Sequence, residues 1–431
     1  MPAIAKEASR RRRIFVNLLK TSPAGRATRR PRVLSKIPGD SPMPARRGSS
    51  LALVVAHVAG MIDLVALPVW VGALIQHYGF DAQQAGLLAT LYLGCAVLCC
   101  SVLARRFDRI SGRLVAPTGF AVGALAFLAA TQAHGLGPMA AAHALAGAGV
   151  GCGLSCAHGE IGLARNPHRL FAFSHLALSG FGVLFFATVP ALVARDGSAI
   201  FTVLAALAGC AALATGLLFP GRAAPGDAAV ESNTPVTPHA PLDARCWCAI
   251  IGIVFMAINQ AMVFGFVERI GMARGFGADH VNAVLLAVGL VNLLPPALAA
   301  LLQHRLDART VAVAGPLTQA VLALAIARST SFAPYAFGVS LWVFAMIFTH
   351  TFLFGLLARL DATGRAVAST PAMLMSGSAV GPLLGGVLIV RFGFDALGTA
   401  VAIVSLLSLL FLVRLRVLTR RSPALSLSEA P

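Results

Sequence analysis

Apolar residues along this chain form runs of about 20 residues, the length of helix that crosses a bilayer, separated by short polar turns. The runs fill nearly all of the chain between residues 51 and 415. We predict an all-α membrane protein with twelve transmembrane helices, which we number as spans in chain order. The predicted spans are 51–76, 83–104, 113–133, 138–163, 170–194, 197–219, 246–268, 279–303, 310–329, 333–358, 366–391 and 395–415.

A basic turn at residues 103–113, LARRFDRISGR, has a shorter copy at residues 304–309, HRLDAR. At a spacing of 196 positions Arg109 aligns with Arg305 and Arg113 with Arg309. The apolar runs that follow also match, as in Gly119 and Gly315. Because internal repeats at a fixed period indicate duplicated architecture, we predict two six-helix pseudo-repeats.

The predicted halves are residues 50–220 and 245–416, joined by a Pro-, Ala- and Thr-rich linker at residues 221–244. Residues 417–431 form a predicted cytoplasmic tail. Residues 1–49 are rich in Arg, Pro and Ser and lack a signal-peptide core, which favours a disordered cytoplasmic tail. An organellar transit peptide and a translation start at Met43 are alternatives.

Composition agrees with the span pattern. Hydrophobic residues make up 58% of the chain and charged residues 12%, whereas soluble domains carry roughly a quarter charged residues. The net charge of +18 does not indicate nucleic-acid binding, because the basic residues lie in the N-terminal tail and in short turns. Membrane lipids are therefore the expected surroundings, and we expect a monomer.

The arginines in the turns set the predicted orientation. Sixteen fall on the side of the two termini and five on the other, and the first 50 residues add thirteen Lys and Arg to the first group. Positive charge accumulates on the cytoplasmic side of membrane proteins. We therefore predict an inner-membrane protein with both termini in the cytoplasm.

The eight cysteines lie in or beside apolar spans. Cys152 with Cys156 and Cys246 with Cys248 could each form a metal-binding pair, but neither has a second pair at zinc-site spacing. We interpret them as small packing residues and expect no metal and no cofactor. The chain also lacks a Gly-Lys-Ser/Thr nucleotide-binding turn, which argues against an ATP-driven pump.

The turn between the second and third spans reads Ala104-Arg-Arg-Phe-Asp108-Arg109-Ile-Ser-Gly112-Arg113. It resembles the Gly-x-x-x-Asp-Arg-x-Gly-Arg turn of the major facilitator superfamily, with Ala104 in place of the first Gly and one additional residue before Gly112. The resemblance implies a cytoplasmic gate that latches the two halves in the outward-open state. Its predicted members are Asp108, Arg109, Gly112, Arg113, Arg305 and Arg309. The alternative is that these charges only set orientation.

A glycine-rich run marks the eleventh span. In drug antiporters of the same superfamily a similar run lies in the fifth span, so its position here does not indicate drug efflux. Small residues four positions apart let helix backbones approach closely, and proline permits a bend. We predict a helix-packing role for Gly377, Gly381, Pro382, Gly385 and Gly386.

Asp63 lies midway along the first span, on one helical stripe with Gly60, Leu67 and Trp70. A charged side chain at the bilayer centre costs roughly 2.5 to 3.5 kcal/mol on insertion scales, so its presence there suggests a function. We predict that Asp63 loads and releases a proton as a central cavity alternates between the two sides. A structural, helix-paired Asp is the alternative.

The resemblance further implies that the first, fourth, seventh and tenth spans line a central cavity. The predicted cavity residues are Trp70, His143, Asn259, Gln260, Trp342, Thr349 and His350, and the further proton-coupling candidates are His158 and Glu160. His175 and Asn292 are weaker candidates. A histidine inside a bundle can equally be a packing residue, and Glu160 can equally pair with Arg165 at the surface.

We therefore predict a secondary active transporter that moves a small organic molecule by alternating access, coupled to protons. No Lys follows Lys36 and no Arg lies near the middle of a span, which favours neutral, zwitterionic or cationic substrates over dianions. Two alternatives stay open. One is a polytopic enzyme using His158, Glu160 and His168, and the other is a transporter-like scaffold or sensor without transport.

Overall fold

The computed structural model describes residues 47–104, 110–164, 167–220, 242–361, 366 and 370–420. All regular secondary structure in these ranges is helical, and it forms fourteen helices. They are α1 Arg47–Gln76, α2 Ala82–Ala104, α3 Gly112–Thr131, α4 Leu136–Gly162, α5 Pro167–Arg195, α6 Ala199–Leu218, α7 Ala244–Phe264, α8 Val267–Ala273, α9 Ala278–Val291, α10 Leu294–Leu302, α11 Ala308–Arg328, α12 Phe332–Leu360, α13 Thr370–Phe392 and α14 Asp395–Arg420.

Twelve segments of the described chain are long and apolar enough to cross a membrane, which confirms the predicted fold class. The seventh span combines α7 and α8, and the eighth combines α9 and α10. The eighth breaks before Pro295 and Pro296, at the start of α10, because proline lacks the N–H that would continue a helix. The last helix reaches Arg420, so it includes the first four residues of the predicted tail region, 417–420.

Helix positions reproduce the spacing of the sequence repeat. Four helices of the first half, α2, α3, α4 and α6, begin 196 positions before α9, α11, α12 and α14. Contacts repeat as well. Gly119 packs against Gly153 of α4, and its counterpart Gly315 packs against Thr349 of α12, the counterpart of Gly153. The two six-helix halves are therefore copies of one packing scheme.

Two acidic residues start helices in the second half. The side chain of Asp243 accepts a hydrogen bond from the Arg245 backbone N–H, and Asp307 accepts one from that of Arg309, both at 3.2 Å. Each aspartate thereby satisfies a backbone donor that has no partner in the first helical turn. Asp307 lies in the HRLDAR turn, so the repeated basic turn also sets the start of α11.

Among the described residues, the halves meet mainly through α2 with α13, α5 with α9, and α1 with both α7 and α8. We call the face that carries Arg47 and Arg420 the terminal face, and the face that carries Gln76 and Glu268 the distal face. Ala82 at the distal start of α2 contacts Gly386 of α13. The Leu383 N–H donates to the Thr90 hydroxyl at 3.2 Å. Much of the contact between the halves therefore lies toward the distal face.

The glycine run of α13 packs against two neighbouring helices, α7 and α2. Gly377, Gly381 and Gly385 face α7, where a Cβ atom would lie 2.5 to 2.8 Å from backbone atoms. Gly386 faces α2 in the other half, and a Cβ atom there would lie 2.2 Å from the carbonyl oxygen of Ala82. The Pro382 carbonyl makes a matching approach to Gly86 of α2. The backbone of α13 packs almost directly on the backbones of α7 and α2. Any atom added at these glycines would therefore disturb the packing.

Candidate functional site

Asp63 lies on α1 inside the first half, and its side chain is 2% exposed. Its Oδ1 atom has no hydrogen-bond partner among the described residues. Tyr92 and Cys100 of α2 both lie within electrostatic range of the carboxyl group. A buried carboxyl oxygen without a partner is costly for a fold to keep. The position is therefore a candidate site for binding a proton.

Three histidines from α1, α4 and α5 form what we call the histidine cluster, consisting of His57, His158 and His175. Nδ1 of His57 lies 2.9 Å from Nε2 of His158, which is hydrogen-bond distance. The ring centroids of His57 and His175 are 4.8 Å apart, edge to face. His57 is buried, whereas His175 is exposed. The cluster therefore connects the interior of the first half to accessible space.

His350 on α12 brings the second half to the same site. It lies within electrostatic range of His175, and its own Nδ1 is buried. Its ring packs on Phe354 at 4.8 Å. The structure thus brings together His158, His175 and His350, which the sequence placed on three separate spans.

His57 is the member of the cluster that sequence reasoning missed. It stands alone in an apolar stretch of α1, six positions before Asp63. The sequence does indicate a common depth in the membrane, because His57, His158 and His175 all lie in the part of their helices nearest the terminal face. Only the packing of three helices shows that they meet.

The chemistry of the cluster follows from the His57–His158 contact. One ring nitrogen must donate and the other accept, so the pair is satisfied when at least one ring is neutral, and two protonated rings would repel each other. Within the described residues, no group of three or more His, Cys, Asp or Glu side chains is placed to hold a metal ion. Proton exchange or hydrogen bonding to a solute is the chemistry that this arrangement supports.

Trp70 and His143, both predicted cavity residues, lie in the core of the first half and are fully buried. The Trp70 indole N–H donates to Nε2 of His143 at 3.1 Å, and Nδ1 of His143 donates to the Met139 carbonyl at 2.7 Å. Both ring nitrogens of His143 are therefore occupied. This geometry favours the packing alternative over contact with a substrate.

Some of the predicted polar residues of the seventh and tenth spans make contacts between helices. Others have side-chain atoms without a hydrogen-bond partner among the described residues. Nδ2 of Asn259 donates to the Ser405 hydroxyl of α14 at 2.9 Å. The Trp342 indole donates to the backbone carbonyl of Gln260 at 3.2 Å. Thr349 packs on Gly315 of α11. Gln260 is half-buried, and its Oε1 has no partner among the described residues, so it is the member of this group best able to bind a solute.

Asp108, Arg109 and Arg165 fall outside the described residues. The other predicted residues lie toward the terminal face, and Glu160 among them is half-buried near the end of α4. Gly112 lies against the ring of Phe219 at the end of α6. Three gate arginines are described, of which Arg113 and Arg305 are exposed and Arg309 is half-buried.

A second polar site, absent from the sequence predictions, joins the halves at the distal face. Nε2 of Gln76 at the end of α1 donates to Oε1 of Glu268 on α8 at 2.8 Å. The other carboxyl oxygen, Oε2, is buried and has no hydrogen-bond partner among the described residues. Asn292, a weaker sequence candidate, also has a buried Oδ1 without a partner in the described chain.

A family model described as Major Facilitator Superfamily matches residues 52–360. No curated protein matches the chain. Among solved structures, a crystal structure of a variant of the nucleoside transporter NupG superposes with a TM-score of 0.66 at 13% sequence identity. The alignment covers 85% of this chain and 99% of that one. At this identity the likeness concerns the fold.

Proposed function

The chain belongs to the major facilitator superfamily, and we propose that it is a proton-coupled secondary transporter of a small organic molecule in the inner membrane. The family points to a transporter rather than to an enzyme. The observation that carries the proposal is Asp63, a carboxyl group at mid-depth of a membrane-spanning helix, with a buried oxygen that has no hydrogen-bond partner in the described part of the chain.

Proton transfer requires a group that can be charged in one state and neutral in the other. Asp63 meets this requirement because its carboxyl group has no cationic partner among the described residues to hold it in one form. The histidine cluster offers a second exchange site between Asp63 and the terminal face. We propose that Asp63 and the cluster load and release protons while the two halves rock about a central site.

The proposed substrate class is a neutral, zwitterionic or cationic solute. The groups available near mid-depth are amide, imidazole and carboxyl, as in Gln260, His350 and Asp63. They can form hydrogen bonds with a polar solute, and Asp63 could pair with a cation. Because the structural neighbour NupG is described as a nucleoside transporter, nucleosides belong in the first group of solutes to be tested.

The test uses the full-length protein in liposomes that contain a pH-sensitive dye. Sugars, amino acids, organic acids, nucleosides and cationic drugs are added outside, and the internal pH is followed. We expect at least one solute to move protons with it or against it, and Asp63→Asn to remove that proton flux. Asp279→Asn is the matched control, since Asp279 is an exposed carboxylate at the start of α9. Solute movement that ignores a pH gradient and survives Asp63→Asn would disprove the coupling.

A further inference from the structure

Glu268 occupies an unusual place at the distal face. Its carboxyl group reaches from α8 in the second half across to α1 in the first, where Gln76 donates to Oε1 at 2.8 Å. Oε2 lies against Gly72, where a Cβ atom would lie 2.4 Å away. Its surroundings are therefore made by the contact between the halves.

Gly72 and Glu268 are equivalent positions of the two repeats, because they stand 196 residues apart. Two equivalent positions that are in contact must lie close to the pseudo-twofold axis that relates the two halves. At such a point two side chains would compete for one space. Here one half supplies a carboxylate and the other supplies a glycine that leaves room for it.

Rocking of the halves changes this environment more than that of Asp63. The neighbours shown for Asp63, Tyr92 and Cys100, move with it because they belong to the same half. Glu268 instead loses Gln76 and Gly72 when the distal face opens, and water then reaches both carboxyl oxygens. Desolvation of an ionised carboxylate costs free energy, whereas burial of the protonated carboxyl group costs much less.

We propose that Glu268 is a proton-binding site that controls the distal gate, so that binding a proton favours closure and releasing it favours opening. The proposal rests on the alternating access proposed above and adds a residue that senses it. The proton comes from and returns to distal water, and no bond other than O–H is made or broken.

A cavity adjoins the site. Glu268 lines a cavity of about 70 Å³ between the halves, together with Gly72, Gln76, Pro190 and Asn282. A cavity needs roughly 10 to 15 Å³ of such volume to hold one water molecule, so this one has room for several. Water can therefore lie beside the carboxyl group in the closed state, while Oε2 itself stays buried.

Among the residues that the structure describes, Arg269, Tyr335 and His77 are the other titratable groups that face the site. Arg269 is adjacent on α8 and interacts electrostatically with Glu268, as does Tyr335 on α12, whose hydroxyl donates to the Val267 carbonyl at 2.8 Å. His77 follows α1 and lines the same cavity. Arg269 favours the ionised form of Glu268, so it sets how readily the proton is released. Asn282, the cavity residue of α9, carries no charge.

The test measures the opening of the distal face by amide hydrogen exchange of the full-length protein in lipid nanodiscs, between about pH 5 and pH 9 and corrected for intrinsic exchange. The reporter segments are residues 69–76 and 267–281. In the wild type we expect protection to fall as pH rises, by about ten-fold for each ten-fold difference in proton affinity of Glu268 between closed and open states. Glu268→Gln should stay protected at every pH.

Two further variants complete the design. Gly72→Ala should expose the same segments at every pH, because the added Cβ displaces the carboxyl group from its space. Asp279→Asn removes an exposed carboxylate on the same face and should retain the wild-type pH dependence.

The proposal is overturned if Glu268→Gln keeps the wild-type pH dependence, or if Gly72→Ala leaves protection unchanged. Hydrogen exchange requires no substrate. A protein that transports no protons but loses its pH-dependent opening in Glu268→Gln would refute the proposed coupling and support the gate. Proton-coupled transport together with unaltered opening in Glu268→Gln would support the proposed coupling and refute the gate.

Discussion

Asp63 and Asn259 are equivalent positions in the first and seventh spans, 196 residues apart, and they differ in their bonding. Nδ2 of Asn259 donates to the Ser405 hydroxyl at 2.9 Å, while its Oδ1 has no partner among the described residues. Oδ1 of Asp63 has no partner among the described residues. One half thus carries an amide where the other carries a carboxyl group, so at this pair of mid-depth positions the proposed proton binding belongs to the first half.

This difference predicts that Asn259→Ala lowers stability without changing proton coupling. Asn259→Ala leaves the buried Ser405 hydroxyl without its donor and should lower the free energy of unfolding by about 1 to 3 kcal/mol. It should not change the number of protons moved per solute. Thermal unfolding in detergent and the proton-to-solute ratio in liposomes check the two parts. A changed ratio in a folded Asn259→Ala protein would contradict the assignment of this residue to packing.

His143 provides a test of packing against substrate contact. Both of its ring nitrogens have partners within the first half, so His143→Phe should cost about 1 to 3 kcal/mol of stability through the unpaired Trp70 indole N–H. The apparent affinity for a transported solute should stay the same. Unfolding temperature and the KM of transport are the measurements. A large change in KM with unchanged stability would restore His143 to the cavity wall.

The histidine cluster should behave as one unit. We expect His57→Leu and His158→Leu each to alter the pH dependence of transport, and the double variant to be little worse than either. Groups that act together typically show interaction energies of about 0.5 to 3 kcal/mol in such a cycle. The control is His304→Leu, at an exposed position between α10 and α11. Strictly additive effects on the pH–rate profile would show that the two rings work separately.

Close packing of α13 on α2 predicts a steric block. Gly386→Leu would drive a side chain into the carbonyl oxygen of Ala82, only 2.2 Å from the Cβ position. The variant should insert and fold but lose most transport, because the halves can no longer close at the distal face. Gly94→Leu on α2 is the control, since open space surrounds its Cβ position. Wild-type transport by Gly386→Leu would show that distal closure does not require this contact.

Sequence periodicity was sufficient for the span count, because each span needs about 20 apolar residues and little else. The breaks inside the seventh and eighth spans were harder. Pro295 and Pro296 gave a signal for the second, but the end of α7 at Phe264 follows no proline. The predicted last span ends at residue 415, before a predicted tail, whereas the helix continues through the arginines there to Arg420.

Site residues were predictable where a residue type is rare in its surroundings, as Asp63 is in the middle of an apolar helix. Glu268 was missed because a carboxylate near the end of a predicted span costs little, and its importance comes from the opposite half. The sequence did contain the clue, since the repeat spacing pairs Glu268 with Gly72. His57 required three helices to be packed before its partners could be known.

Proton coupling through Asp63 is tested most directly by comparing two modes of transport in one set of liposomes. Asp63→Asn should abolish solute accumulation driven by a pH gradient, while exchange of labelled for unlabelled solute at equal pH continues, because exchange needs no net proton transfer. Wild-type accumulation by Asp63→Asn would contradict the account, as would loss of both modes in a folded protein.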